Sequence, residues 1–266
     1  MSVPASLVKE LREQTGAGMM DCKRALEETG SDLEAARRLL RERGMAQAAK
    51  RAGRATSEGL VGYRIAPDGR LGTMVAVGCE TEPVSRNDEF QTFAQRVLEA
   101  VEAEGPDAVS ALEVERQELV GKISENIVVV GAARYDAQDG EVLAAYVHPP
   151  ANKIGVLVKT RGATAEAARQ LAMHIAFAGP RFLDRTKIPD EEIATERAIY
   201  EKQPDVQAKP EHVRPKIVEG MLAKRFFAEH VLGDQQWIHE PGKTVGQALE
   251  EQGVEVLAYD RYALGR

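Results

Sequence analysis

Glu240-Pro241-Gly242-Lys243-Thr244 comes nearest to a reactive motif, because Gly-Lys-Thr closes a phosphate-binding loop. The full pattern needs a glycine five residues before Gly242, and that position holds Trp237. No buried strand precedes it, so the triplet reads as a helix entry. His148, His174, His212, His230 and His239 show no metal-ligand spacing, and the nearest pair, His230 and His239, has no accompanying cysteine or carboxylate cluster. His174 falls in an apolar helical stretch and reads as a core or interface residue. No serine occupies a nucleophile elbow. Cys22 and Cys79 are far apart and form no CxxC, which fits a reducing cytoplasm and argues against a disulfide scaffold or a cysteine zinc site. The inventory predicts no covalent chemistry, no bound metal and no cofactor.

Two other places suit contact rather than catalysis. Met19 and Met20 open a helix after a Gly-rich turn. At about 100° per residue, Met19, Cys22, Ala25 and Leu26 share one side, and Met20 lies opposite with Arg24 and Glu27. A lone exposed apolar residue is ordinary, but methionine also suits adaptable binding surfaces. In Cys79–Phe90 a strand ends, a polar turn follows, and a helix begins behind Asn87. Pro83 fixes its own φ and is expected to hold Glu82 extended. The segment reads either as a plain strand-to-helix connection or as a stiff loop pressed into a partner.

The elements that must position these residues follow from periodicity. Residues 4–13 form a helix with Leu7, Val8 and Leu11 on one face. A second helix covers about 19–29. A third is expected to start at Ser31, with Glu34 completing a capping box, and to stop at Gly44. Residues 1–44 thus form a three-helix domain, and the Ala-rich basic stretch 45–58 is a partly helical linker. Leu60–Ile65 and Leu71–Cys79 flank the Pro67-Asp68-Gly69-Arg70 turn, and a helix with Phe90, Phe93, Val97 and Val101 inward follows. Hairpin-then-helix recurs at Val142–His148, Ile154–Thr160 and the helix from Thr164. The core therefore reads as two related α+β subdomains, 59–139 and 140–183 with 232–266. The last strand, Val254–Tyr259, is expected in the second sheet. Residues 184–231 form an αα-hairpin projecting from the body.

With 266 residues the chain is long enough for two or three modules. No apolar run approaches the roughly 20 residues of a membrane span, and no signal peptide is visible at the N-terminus. Residues 1–56 carry 11 Lys and Arg against 8 Asp and Glu, whereas the whole chain is net −7. A mildly basic head on an acidic body, with only 5% aromatics, does not suit nucleic acid. It suits docking to an acidic protein surface.

Several stretches in order carry a resemblance. Residues 7–26, with Thr15-Gly16-Ala17-Gly18-Met19-Met20-Asp21-Cys22-Lys23, closely resemble the N-terminal domain of the bacterial elongation factor Ts family. Cys79–Phe90 falls on a second family signature, and Lys122–Ile127 looks like a third. Ile154–Val158, Met173–Ala176 and Lys243–Gln247 are further matches. The resemblance implies an α+β fold with a ubiquitin-associated-like head, a bipartite core, and a dimerisation element at 184–231. It implies a cytoplasmic factor that binds elongation factor Tu, GDP-bound and nucleotide-free, and promotes GDP release by disturbing the Mg²⁺ and phosphate site. Leu11, Arg12, Met19 and Met20 would dock the head. Thr81, Glu82, Pro83 and Val84 would form the Mg²⁺-dislocating loop, supported by Ile123 and Ser124, and His148 would lie on the core contact surface. The family loop usually reads Thr-Asp-Phe-Val, so Pro83 stands where a wedging Phe is usual. Weaker exchange, a different partner pocket, or stiffness in place of bulk would each accommodate that. The competing reading is a ubiquitin-associated-like binding module with an unrelated partner; a homodimer through 184–231 is the alternative to a purely heterodimeric role for the hairpin.

Overall fold

The computed structural model describes residues 3–265. Its head consists of α1 (Ala5–Thr15), α2 (Met19–Glu28) and α3 (Leu33–Arg51). Val8, Leu11, Cys22, Ala25, Leu26 and Ala36 close one small core between them. Gly16 ends α1 at φ 64°, its N–H donating to the Arg12 carbonyl, a left-handed conformation that glycine adopts without steric cost.

The helix boundaries differ from expectation at two points. Asp32, not Ser31, caps α3 and accepts from the Ala35 N–H at 3.0 Å. Ser31 is itself left-handed at φ 68°, which rules it out as the extended residue a cap requires. Gly44 does not stop the helix either; α3 runs on through Arg51. A β-carbon added to Gly121 would lie 2.6 Å from the Gly44 Cα, so the glycine serves close packing. Ala48, one turn later, is buried in the core of the body. That packing outweighs the roughly 1 kcal/mol that glycine costs inside a helix.

The body contains two antiparallel three-stranded sheets. The first orders β1 (Glu58–Ile65), β2 (Leu71–Cys79) and β3 (Ile127–Asp136); the second orders β4 (Glu141–Val147), β5 (Ile154–Arg161) and β6 (Glu255–Ala263). Between β2 and β3 come the single turn α4 (Glu82–Ser85), α5 (Asp88–Glu104) and α6 (Glu113–Ile123). Helix α7 (Ala165–Ala178) follows β5. The sheets pack face to face, with Val61, Met74, Ala76 and Ala133 against Leu157 and Leu264. α5 covers the outer face of the first sheet and α7 that of the second. The fold is α+β, layered helix, sheet, sheet, helix.

This layering explains β2, which is buried on both faces. Val75, Val77 and Cys79 face α5, whereas Met74 and Ala76 lie between the sheets. Its small residues Gly72 and Ala76 are where the sheets approach, and a β-carbon on Gly72 would stand 3.1 Å from Leu157 Cδ1. Gly155 is another such point, since a β-carbon there would stand 2.5 Å from Val61 Cγ1. β6 joins β5 as expected.

Residues 190–230 form α8 (Asp190–Glu201), the turn α9 (Pro204–Gln207), α10 (Arg214–Met221), a π-helical continuation over Leu222–Phe227, and α11 (Ala228–His230). They bury Tyr200, Val206, Val218, Leu222 and Phe226 in a cluster of their own. α12 (Val245–Glu251) opens on Thr244, whose side chain and that of Gln247 form a reciprocal capping box. Lys243 binds Glu240 at 2.9 Å and Glu251 at 2.7 Å. The Gly-Lys-Thr triplet is a helix entry.

Candidate partner-binding site

The site is assembled around the C-terminal end of α6. Four segments meet there: the head turn at Gly16, the buried face of α3 at Gly44, the start of α5, and the turn after β2. The Lys122 stem covers Gly16, where a β-carbon would fall 1.7 Å from Lys122 Cε. Its ammonium pairs with Glu89 in the first turn of α5. Arg41 of α3 binds Glu118 of α6 at 3.1 Å. A cleft of about 530 Å³ remains between head and body, lined by Thr15, Asp21, Arg37, Arg41, Glu118 and Lys122 among others.

Ser124 ends α6 in the left-handed conformation at φ 66°, its N–H donating to the Val120 carbonyl. That reversal brings Glu125 to the turn after β2. Thr81 N–H donates to Glu125 Oε2 at 3.0 Å and Thr81 Oγ1 to Glu125 Oε1 at 2.5 Å. Asn126 N–H donates to Glu80 Oε1 at 2.6 Å, and Asn126 Nδ2 donates to the Arg54 carbonyl at 2.8 Å. Thr81–Val84 and Ile123–Ser124, predicted from separate parts of the chain, are thus neighbours. Val84 and Ile123 both pack partly buried against the first-sheet core.

The turn is not the extended loop expected. Thr81 is extended at φ −130°, ψ 153°, but Glu82 is the first residue of the helical turn Glu82–Ser85 and Pro83 the second. A proline in the first helical turn lacks only an N–H that the helix would leave unpaired. Thr81, Glu82 and Pro83 are exposed. Glu82 pairs with Arg86 one turn on, and Asn87 caps α5 through Glu89 N–H at 2.9 Å.

In the head, Met19 and Met20 are 55% and 61% exposed. Placing Met19 on the inward side was wrong: α2 turns its Cys22–Ala25–Leu26 face into the core and leaves both methionines outside. Arg12 is exposed, but Leu11 is completely buried. Leu11 therefore acts through the head core, holding α1 against α2, and has no surface to offer a partner.

His148 is exposed in the β4–β5 turn, its Nδ1 2.9 Å from the Tyr146 hydroxyl. Val61 N–H donates to the Asn152 carbonyl at 2.7 Å, tying this turn to β1. Lys153 pairs with Glu58, which stands across from Cys79 in the first sheet. The turn bearing His148 is thereby at the same end of the body as Thr81, without touching it through any of these bonds.

Burial dominates the titration of the nearby thiols. Cys79 is pushed up to about 12, mainly by burial and secondarily by the Glu125 charge. Cys22 is also raised by burial, partly opposed by its hydrogen bond with Thr15. His174 is a satisfied core residue as expected: it is fully buried, with Nε2 3.0 Å from Gln235 Oε1. Among the described residues, no group of three or more His, Cys, Asp and Glu side chains is placed to hold a metal ion. No helix among them is long and apolar enough to cross a membrane.

Residue spacing did not reveal Glu80, Glu125 or Asn126. They come together only through the antiparallel register, in which Cys79 pairs with Ile127 and the residues just beyond that pair are these.

A profile of the family described as Elongation factor TS matches residues 80–266. Elongation factor Ts of Thioalkalivibrio sulfidiphilus is 42% identical over all of this chain and 93% of its own length. That of Methylococcus capsulatus is 40% identical, again over all of this chain and 93% of its own. That of Escherichia coli O139:H28 is 41% identical over 99% of this chain and 92% of its own. A head joined to an α+β body, with relatives of this kind along its whole length, defines a translation elongation factor. The chain belongs to the elongation factor Ts family.

Proposed function

We propose that this chain is a guanine-nucleotide exchange factor acting on elongation factor Tu in the cytoplasm, without a covalent step. It binds the GDP form, promotes GDP loss by disturbing the Mg²⁺ and phosphate site, and holds the nucleotide-free state. The observation that carries this reading is the turn Thr81–Val84, exposed from Thr81 to Pro83 and held on the same α6 terminus that seats the head turn at Gly16. Arg12, Met19 and Met20 dock the head. The turn, with Ile123 and Ser124 behind it and His148 at the same end, meets the GTPase. The units are the head, the two halves of the core, and the hairpin 184–231, which is also the surface for any self-association.

The physical basis is linkage. A protein that binds the empty GTPase more tightly than the GDP form must weaken GDP by the same factor, and a coupling of about 3 kcal/mol is roughly 150-fold. Glu82 carries a carboxylate one methylene longer than the family Asp, and Pro83 offers a small rigid ring in place of Phe. The test is release of a fluorescent GDP analogue from the cognate elongation factor Tu. Acceleration at micromolar factor supports the proposal, and an unchanged release rate overturns it.

A further inference from the structure

The last paired residues of β2 and β3 are Cys79 and Ile127. The same antiparallel register, carried one and two residues further, sets Glu80 opposite Asn126 and Thr81 opposite Glu125. Here side chains take over from the ladder. Glu80 accepts the Asn126 N–H, and Glu125 accepts both the N–H and the hydroxyl of Thr81. Each carboxylate reaches across to the main chain of the opposite segment, so the two latches are reciprocal. Hydrogen bonds to a carboxylate are about twice as strong as neutral ones.

Thr81 is also the cap position of the turn Glu82–Ser85, yet its side chain makes no bond to that turn. Its hydroxyl is committed to Glu125 instead. A four-residue helical turn has no independent stability, so its direction depends on what fixes its first residue. We propose that Glu125 is the positioning residue of the exchange turn: it aims Thr81–Val84 by holding Thr81, while the head does the docking. This role rests on the exchange reading above.

The experiment uses the full chain and measures GDP release from elongation factor Tu as a function of factor concentration. Glu125→Ala lowers the maximal release rate about ten-fold, as expected for losing charge-assisted bonds at one anchor. The half-saturating concentration stays within about two-fold, because docking surfaces elsewhere are intact. Glu125→Gln, which keeps one acceptor oxygen, falls between the wild type and the alanine variant. Thr81→Val combined with Glu125→Ala is no slower than Glu125→Ala alone, because both act through one contact. Thermal unfolding and Thr81 amide exchange in the free chain accompany the kinetics: Glu125→Ala keeps the fold and loses protection at Thr81. A variant with the maximal rate of an active wild type, or one altered only in half-saturation, overturns the positioning role. A wild-type chain that leaves GDP release unaccelerated removes the exchange reading itself, so the two failures are told apart by the wild-type control.

Discussion

Gly44 of α3 and Gly121 of α6 meet backbone to backbone, and the contact is not symmetric. A β-carbon on Gly121 would stand 2.6 Å from the Gly44 Cα, whereas one on Gly44 would stand 3.6 Å from the Gly121 Cα. The first distance is a clash with backbone, and the second is ordinary contact.

Gly121→Ala should therefore destabilise the protein by about 1–3 kcal/mol, because α3 or α6 must shift. Gly44→Ala should be neutral or stabilising by up to about 1 kcal/mol, through helix propensity. Urea midpoints of the two variants check this, and equal losses would contradict the asymmetry.

His174 makes stability depend on pH. Burial holds its pKa below the ordinary value of 6.5, partly opposed by the Gln235 bond. Nε2 donates to Gln235, and Nδ1 accepts the Ile238 N–H at 3.5 Å, so protonation would set two donors against each other. The unfolded chain takes up this proton first as pH falls. Stability from this group is full above about 6.5 and declines below it, toward the lower folded-state pKa. Urea midpoints between pH 7.5 and 5.5 should fall, and His174→Gln should flatten that slope.

Both thiols should be inert in the folded chain. Cys22 and Cys79 are buried and their pKa values are raised, so little thiolate exists at neutral pH. An aromatic disulfide reagent should titrate neither in buffer and both in denaturant. Fast reaction of either in buffer would mean that its segment opens.

The head and the turn should separate kinetically. Met20→Ala removes exposed apolar surface and is expected to raise the half-saturating concentration for GDP release several-fold, at an unchanged maximal rate. Pro83→Phe places an aromatic ring on the exposed side of the turn. If that ring reaches the partner, the maximal rate should rise, since an aromatic anchor is worth about 2 kcal/mol when buried. An unaltered rate would show that this position carries no wedge in this chain.

Periodicity alone located the head helices, the two hairpins, the helix behind Asn87 and the closing strand, because burial on one face leaves a period of about 3.6 or 2 in the sequence. The glycine turn at 16 and the helix entry at Thr244 were legible for the same local reason: a cap or a left-handed residue needs a particular side chain. What depends on distant segments was not legible. Gly44 looked like a helix stop until Gly121 was placed against it. Met19 looked inward by angle, but the small head core has room only for Cys22, Ala25 and Leu26 of that helix. Pro83 suggested an extended loop, whereas Glu82 begins a helical turn anchored by Glu125, 44 residues from Thr81. Sequence determined the elements and the order of the contact motifs, since propensity and capping act over a few residues. Only the tertiary structure decided how β2 and β3 are registered and which α6 residues meet the turn, since those contacts are set by packing between segments far apart in the chain.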